Sequence, residues 1–212
     1  KEYSATMMPA GAKGTPNHAE KVMKYYSIAT GDSSAEVSLL EGNSGLKVVY
    51  YNQGDAAWKS IPYSTSTIGQ SGCGPTSMAI CISTLSGKKI TPRQTCQWAG
   101  SQGYYVKGAG SKHDVIPGLA KKYGVKCKGV GKNKPQIIQA LKTGKLVVAI
   151  MSAGHFTSGG HFIVLTGIKD GKITVADCGS RQRTKQTWSL DLIVNESNSS
   201  ASAGGPFWII SK

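Results

Sequence analysis

The feature that most constrains this chain is a glycine-rich turn at residues 70–77, QSGCGPTS, which leads directly into a helical pattern. Apolar residues follow at helical spacing, at positions 78, 79, 82 and 85. Pro75 suits the first turn of a helix, because the N–H that proline lacks would have no partner there. We therefore expect Cys73 at or just before a helix N-terminus, where the helix dipole favours a thiolate. A buried structural cysteine fits the same local pattern, so the rest of the chain has to decide between the two.

Charge is distributed unevenly along the 212 residues, whose net charge is +14. Residues 1–44 have a net charge of −1, and residues 45–212 have a net charge of +15. This change predicts an N-terminal extension or linker over residues 1–45, with a short helix at 18–29 and a loop at 31–45. A single domain then occupies residues 46–212, which is long enough to bury a core.

The positive charge of this domain favours a polyanionic partner: nucleic acid, an anionic membrane or the teichoic acids of a bacterial wall. Six lysines between Lys121 and Lys134 form the densest patch, which is also typical of a solvated helix-and-loop face. No interleaved aromatics or zinc-finger spacing accompany the patch, so we expect no nucleic-acid module. The sequence has no run of about 18 apolar residues, so we expect no integral membrane segment.

The five cysteines are too few for a disulfide framework, and their spacing includes no C-x-x-C pair. We therefore expect no structural metal site, and no motif in the sequence predicts a cofactor. Cys81 falls within the apolar pattern of its helix and is predicted to be a core residue. Nothing in the sequence sets the oligomeric state.

The predicted elements are mainly helices in the first half of the domain and strands in the second. A strand at 46–53 and the Cys73 helix, ended by Gly87, precede three more helices, at 94–100, 112–123 and 135–143. Strands are predicted at 146–151, 161–167, 173–177, 187–190 and 207–210. Helices followed by an antiparallel sheet form an α+β layout.

His161 and Asp177 lie at opposite ends of a predicted hairpin whose turn is near residue 170. His161 begins the first arm and Asp177 ends the second, so the two side chains can meet at one edge of the sheet. Each alone has an ordinary structural explanation, as a histidine at a strand end and a carboxylate that caps a turn. With Cys73 upstream, they fit a thiolate, its base and the group that orients the base.

Several motifs together resemble one family of enzymes. They are Tyr51-Asn52-Gln53-Gly54-Asp55 with Trp58, Gly72-Cys73-Gly74-Pro75-Thr76-Ser77, Phe156-Thr157 with Gly160-His161-Phe162-Ile163-Val164-Leu165, and Val175-Ala176-Asp177. This set is similar to the papain-fold cysteine peptidases related to bacteriocin-processing enzymes, the C thirty-nine-like peptidases, over about residues 46–212. The resemblance implies a papain-like fold, with a helical lobe that carries the cysteine and a β lobe that carries the histidine and aspartate. It assigns Cys73 as nucleophile, His161 as general base and acid, and Asp177 as the residue that orients His161.

The oxyanion hole of such an enzyme needs an amide donor beside the backbone N–H of the nucleophile. The resemblance favours Gln53, because family members usually have a glutamine at this place. Gln70 is the alternative, although it lies only three residues before Cys73. Cys178 departs from the family pattern, where a proline commonly follows the aspartate, and it predicts a second thiol near the site.

The first residues lack the apolar core of a secretory signal, so the protein is either cytosolic or processed or trimmed, and we favour the second because the chain does not begin with Met. We expect a bacterial cysteine peptidase, secreted or at the cell surface. Its substrates would be peptides or proteins, including the cross-link peptides of a cell wall, with an anionic wall polymer as a further partner. Two other functions remain open at this point. One is a transglutaminase-like amidase or acyltransferase, and the other is a non-catalytic domain that binds peptide or wall polymer.

Overall fold

A computed structural model describes residues 38–41 and 45–212. The strands of this part are β1 (Ser38–Glu41), β2 (Lys47–Tyr50), β3 (Pro62–Tyr63), β4 (Ser66–Thr67), β5 (Tyr105–Val106), β6 (Gly110–Ser111), β7 (Lys126–Gly129), β8 (Leu146–Met151), β9 (His161–Lys169), β10 (Lys172–Ala176), β11 (Thr187–Trp188) and β12 (Phe207–Ser211). The helices of this part are α1 (Ile68–Ser71), α2 (Cys73–Ser86), α3 (Pro92–Ser101), α4 (Val115–Tyr123), α5 (Lys134–Lys142), α6 (Arg181–Thr184) and α7 (Leu190–Glu196).

Six strands form an antiparallel sheet in the order β11-β10-β9-β8-β12-β7. Strands β8 and β9 lie at its centre, and every residue of β8 is buried. Three two-stranded ribbons, β1-β2, β3-β4 and β5-β6, lie outside this sheet. Helices followed by an antiparallel sheet confirm the predicted α+β fold.

The two faces of the sheet are covered by different helices. On one face, α2 packs so closely on β9 that a Cβ at Gly74 would lie 3.3 Å from the ring of Phe162. On the other face, Ile137 and Leu141 of α5 join a buried apolar cluster that includes Ile163 and Leu165 of β9. Burial on both faces explains why β8 and β9 have continuous apolar sequences rather than alternating ones.

Strand β9 has one more residue than β10 at a β-bulge, and this bulge determines which side chains of β9 lie on each face of the sheet. Thr174 pairs with Gly167 but Val175 pairs with Leu165, so Thr166 is the residue added to the ladder. A bulge of one residue reverses the faces of all side chains between the bulge and the open end of the hairpin. In the shifted register, the pair after Ala176–Val164 is Asp177 with Ile163. Ile163 is two residues from His161, so the side chains of His161 and Asp177 lie on the same face of the hairpin.

Several helix ends are where the sequence predicted them. Gly87 and Gly124 cap α2 and α4 in the left-handed conformation, which glycine adopts without a steric penalty. The start of α3 is earlier than the predicted residue 94, because Thr91 forms a capping box with Gln94 and the helix begins at Pro92. The predicted helix at 135–143 is observed as Lys134–Lys142.

Other expectations need correction. Residues 38–41 form a strand paired with β2, within a segment predicted to be a loop. The lysine patch includes β7, an edge strand, rather than only helix and loop. The predicted strand at 187–190 is shorter, because a helix begins at Leu190. The predicted helix at 18–29 lies outside the described residues, and the domain boundary near residue 45 stays a prediction.

Within the two described ranges, no helix is long and apolar enough to cross a membrane.

The buried hydroxyl of Thr95 links α3 to the first turn of α2, where it donates a hydrogen bond of 2.8 Å to the carbonyl of Pro75. Thr95→Val keeps the shape of the side chain but removes this donor. We expect the free energy of unfolding to fall by about 1 kcal/mol, the usual net contribution of one such bond, in a urea titration. Thr143→Val is the matched control, because the Thr143 hydroxyl makes its bonds at an exposed helix end. An equal loss in both variants would contradict a special contribution from Thr95.

Candidate active site

Cys73 is the first residue of α2, as the glycine-rich turn predicted. Gly72 precedes it and allows α1 to approach closely, because a Cβ at Gly72 would lie 2.7 Å from the carbonyl oxygen of Ile68. Cys73 is half-buried, whereas Cys81, Cys96 and Cys178 are buried. The thiol therefore lies at a helix N-terminus, within reach of solvent.

His161 joins Cys73 to Asp177. Its Nε2 lies 2.8 Å from Asp177 Oδ1, and both side chains are buried. The thiol of Cys73 is hydrogen-bonded to the same ring, and since Nε2 faces the carboxylate, Nδ1 is the nitrogen left for the thiol. The structure thus brings together the three residues that the sequence predicted, in the order cysteine, histidine, aspartate. Their catalytic roles stay a prediction.

The carboxylate of Asp177 is held by two further donors. The backbone N–H of Gly179 donates to Oδ1 at 2.8 Å, and Arg183 Nε donates to Oδ2 at 2.5 Å. Gly179 has no room for a side chain, because a Cβ there would lie 3.0 Å from His161 Cε1. The sequence analysis missed Arg183. The signal that could have found it is Ser180, which caps the single turn of α6 three residues after Asp177 and so returns a cation to the carboxylate.

The charges of this group support one another. Burial opposes ionisation of Cys73, but the hydrogen bond with His161 and the charge of its ring outweigh burial and hold the pKa of the thiol below its ordinary value. Burial also lowers the pKa of His161, but Asp177 and Cys73 more than offset it and raise that pKa to about 9. The pKa of Asp177 is lowered against burial by His161 and Arg183. Both shifts favour the ion pair of a thiolate and an imidazolium over the neutral thiol and imidazole.

The two glutamines considered for an oxyanion hole have different surroundings. Gln53 is buried, and its Nε2 donates to the carbonyl of Gly69 at 2.8 Å. Its Oε1 lies 3.4 Å from Cys178 Sγ, and that sulfur lies 3.5 Å from the carbonyl oxygen of Cys73. Gln70 is exposed, and its Oε1 accepts a bond from Ser66. Gln53 is thus connected to Cys73 through the sulfur of Cys178, and the choice of Gln53 for the oxyanion hole stays a prediction.

The other histidine of this region belongs to a separate contact. His155 is exposed and pairs with Glu196, which also accepts a 2.8 Å bond from the backbone N–H of His155. The ring of His155 lies against Trp188. This arrangement fixes the loop before β9 and does not involve Cys73. In the part of the chain that is described, no group of three His, Cys, Asp or Glu residues is placed to hold a metal ion.

Comparisons with known proteins give one family and a set of similar structures. The model of the family described as Peptidase_C39 like family matches residues 45–203. A crystal structure of a C39-like peptidase from Bacillus anthracis is similar, with a TM-score of 0.51 and 17% identity over 78% of this chain and 94% of that chain. The peptidase domain of Streptococcus ComA, a bi-functional ABC transporter involved in quorum sensing, gives a TM-score of 0.47 and 13% identity over 66% of this chain and 91% of that domain. No curated protein gives a significant match. These results confirm the predicted family resemblance and the papain-like fold.

The lowered pKa of Cys73 predicts that this thiol reacts with iodoacetamide at lower pH than the other four, and we expect it alone to react near pH 6, about 2.5 units below the pKa of an ordinary thiol. Burial raises the pKa of Cys81, Cys96, Cys127 and Cys178, to about 11 for Cys127, so these thiols stay protonated. Because the pKa of Cys73 is lowered, its reactivity should disappear only as the pH falls below that lowered value. Peptide mapping by mass spectrometry would measure the label on each cysteine.

The variant His161→Ala is the control for this experiment. Without the ring, burial is no longer outweighed, so labelling of Cys73 near pH 6 should be lost and should return at alkaline pH. Equal labelling of all five cysteines, or no effect of the substitution, would contradict an activated thiolate.

Proposed function

Because the chain belongs to the Peptidase_C39 like family, we propose that its folded domain is a cysteine peptidase with Cys73 as nucleophile. His161 acts as general base and acid, and Asp177 orients it. The observation that carries this proposal is the hydrogen-bonded series from Cys73 through His161 to Asp177, which starts at a helix N-terminus. A binding module has no need of a thiolate held beside an imidazolium.

In the first step, the Cys73 thiolate attacks the carbonyl carbon of the peptide bond and forms a tetrahedral oxyanion. The backbone N–H of Cys73, which is unpaired in the first turn of α2, and an N–H of Gln53 Nε2 stabilise this oxyanion. As the carbonyl re-forms, the imidazolium of His161 gives its proton to the leaving amine. The amine departs and a thioester remains on Cys73.

In the second step, water hydrolyses the thioester. His161, now neutral, takes a proton from the water molecule, and the resulting hydroxide attacks the thioester carbon. The same two N–H groups stabilise the second oxyanion, which collapses to release the carboxylic acid. The departing sulfur regains its negative charge and His161 keeps the proton, so the ion pair is restored.

Arg183 and Asp177 supply the electrostatic conditions for both steps. Asp177 bonds Nε2 of His161, which leaves Nδ1 to exchange protons with the sulfur and the substrate. Arg183 holds the second oxygen of the carboxylate and keeps it ionised. The imidazolium is thereby stabilised when it forms, without transfer of its proton to Asp177.

We propose a bacterial protein that works outside the cell, at the surface or secreted, on wall cross-link peptides or secreted peptides. The net charge of +15 over residues 45–212 supports work near an anionic wall. An anionic polyol-phosphate polymer of the wall would then be a second partner, held at a place distant in sequence from Cys73.

The edge of the sheet at β7 offers such a place. Two adjoining grooves, of about 400 and 540 Å³, share Lys126, Thr143, Lys145 and Ser211. Lys128 lines the first groove and Lys212 the second, and no residue that lines either groove is acidic. Lysines on an edge strand also prevent sheets from pairing edge to edge. A row of cations along two open grooves suits a chain of phosphates.

Hydrolysis tests the catalytic proposal. A library of proteome-derived peptides and purified wall cross-link peptides would be incubated with the protein, and products identified by mass spectrometry. We expect cleavage that Cys73→Ala abolishes. Gln53→Ala should lower kcat by about 10²–10³, the usual loss when one oxyanion donor is removed. Gln70→Ala is the matched control and should leave kcat nearly unchanged, because that side chain is exposed and bonded to Ser66.

Other outcomes would change the assignment. Unchanged hydrolysis by Cys73→Ala would exclude Cys73 as nucleophile, and a larger loss in Gln70→Ala than in Gln53→Ala would transfer the oxyanion role. Products joined to an added amine rather than to water would indicate an acyltransferase. Binding of the peptides without cleavage by the parent protein would indicate a binding module.

Poly(glycerol phosphate) tests the polymer proposal. The triple variant Lys126→Gln, Lys128→Gln, Lys145→Gln should bind this polymer at least tenfold more weakly in calorimetry, with a smaller dependence on salt, because exposed charges are screened by salt. The control triple is Lys169→Gln, Lys172→Gln, Lys185→Gln, which removes the same charge from exposed residues near the opposite edge of the sheet. Equal weakening by both triples would mean that only net charge matters. Tighter binding of a single-stranded nucleic acid of equal charge would overturn the choice of polymer.

A further inference from the structure

Cys178 is a buried thiol packed beneath the nucleophile, immediately after Asp177 in the chain. Its Sγ lies 3.4 Å from Gln53 Oε1 and 3.5 Å from the carbonyl oxygen of Cys73. The carbonyl oxygen of Phe162, at 3.5 Å, and Ser77 Oγ, at 3.6 Å, complete its polar surroundings. Three of these four neighbours are acceptors only, so the sulfur occupies a position suited to a donor.

The side-chain amide of Gln53 can adopt two orientations that exchange its oxygen and its NH₂ group. Nε2 donates one of its two hydrogens to the carbonyl of Gly69 at 2.8 Å, which leaves the second for an oxyanion. Oε1 is the nearest of the three acceptor-only oxygens to Cys178 Sγ, at 3.4 Å against 3.5 Å for the other two, so it is well placed to accept the single S–H hydrogen. If the amide turned over, its NH₂ would face the thiol donor and its oxygen would face the carbonyl of Gly69. The thiol and the carbonyl therefore select the same orientation from opposite ends.

The backbone of Cys178 adds a second connection. Its carbonyl oxygen accepts a bond of 2.7 Å from the backbone N–H of Gln53. Gln53 is thus held by Cys178 at both its main chain and its side chain. Burial, followed by the charges of Cys73 and Asp177, raises the pKa of the Cys178 thiol, so the sulfur keeps the hydrogen that it donates.

We propose that Cys178 is a positioning residue, whose S–H group holds Oε1 of Gln53 so that the free N–H of Nε2 faces the oxyanion. This inference rests on the proposed function, since it assumes that Gln53 acts during peptide hydrolysis. A thiol is a weak donor, so its loss should lower the rate less than the loss of Gln53 itself.

The test uses the full chain and the peptide that the parent protein cleaves fastest. Cys178→Ala should lower kcat about tenfold with KM nearly unchanged, because binding of the ground state does not need the oxyanion donor. Cys178→Ser should recover part of this loss, since a hydroxyl also donates. Cys81→Ala is the matched control, because Cys81 is also a fully buried thiol but lies in the middle of α2, eight residues beyond Cys73. It should leave kcat unchanged.

A double-mutant cycle separates positioning from a general loss of packing. In the Gln53→Ala background, Cys178→Ala should have no further effect on kcat. An equal loss in the parent and in this background would overturn the proposal, as would the same loss in Cys178→Ser and Cys178→Ala.

Two measurements keep this test independent of the proposed function. The rate of Cys73 alkylation near pH 6 should be the same in Cys178→Ala and in the parent, because the pair with His161 is intact. A reduced alkylation rate would place the effect on Cys73 instead of on Gln53 and would contradict the inference. Cys73→Ala is measured in parallel. If this variant still hydrolyses the peptide, the proposed function is wrong. If it is inactive but Cys178→Ala lowers kcat equally in the parent and in Gln53→Ala, only the proposed role of Cys178 is wrong.

Discussion

The hydrogen bond between His161 Nε2 and Asp177 Oδ1 is the interaction on which the site depends, and the register of one hairpin determines it. A regular ladder continued from the pair Lys172–Lys169 would set Asp177 opposite Val164. The carboxylate would then lie on the other face of the hairpin from His161, since three residues separate His161 from Val164. The extra residue, Thr166, shifts the register by one and brings both side chains to the same face. Its hydroxyl bonds Thr174 at 3.0 Å, so the bulge is itself held in place.

Four ionised groups follow one another from this bond: Arg183, Asp177, His161 and Cys73. Their signs alternate, so each buried or half-buried charge has a partner of opposite sign on at least one side. Removing the imidazole would take away the cation between Cys73 and Asp177, and removing Arg183 would take away one of the two cations that face the buried Asp177 carboxylate, so either change would be destabilising. The same alternation explains the opposite pKa shifts of neighbouring groups, lowered for the two anions and raised for the imidazole between them. The lowered pKa of the Cys73 thiol is therefore a property of the whole series and not of the cysteine alone.

Local sequence signals predicted the part of this arrangement that local physics controls. Gly72 and Pro75 placed the helix start at Cys73, Gly87 placed its end, and the turn near residue 170 placed His161 close to Asp177. The bulge at Thr166 could not be predicted, because a threonine in a β-branched strand has the same local pattern whether or not it pairs. The contact of Arg183 with Asp177 was not predicted for a different reason. It depends on a four-residue helix, which is too short to give a periodic sequence pattern. Strand β7 was not predicted, because its sequence contains two lysines and an edge strand with one partner needs few apolar residues.

The pKa values of two neighbouring thiols depend on their different surroundings. Cys73 and Cys178 belong to the same small site, yet the pKa of one is lowered and that of the other is raised. Cys73 faces an imidazolium at a helix start, whereas Cys178 is fully buried beside the Asp177 carboxylate and the Cys73 thiolate itself. Because like charges repel, ionisation of Cys73 strengthens the hold of Cys178 on its proton. The charge of Cys73 thereby helps to keep the Cys178 thiol protonated, and this thiol lies 3.4 Å from Gln53 Oε1. Cys178 thus stays neutral between the Cys73 backbone and the Gln53 side chain, and a neutral thiol is what the proposed positioning of Gln53 requires.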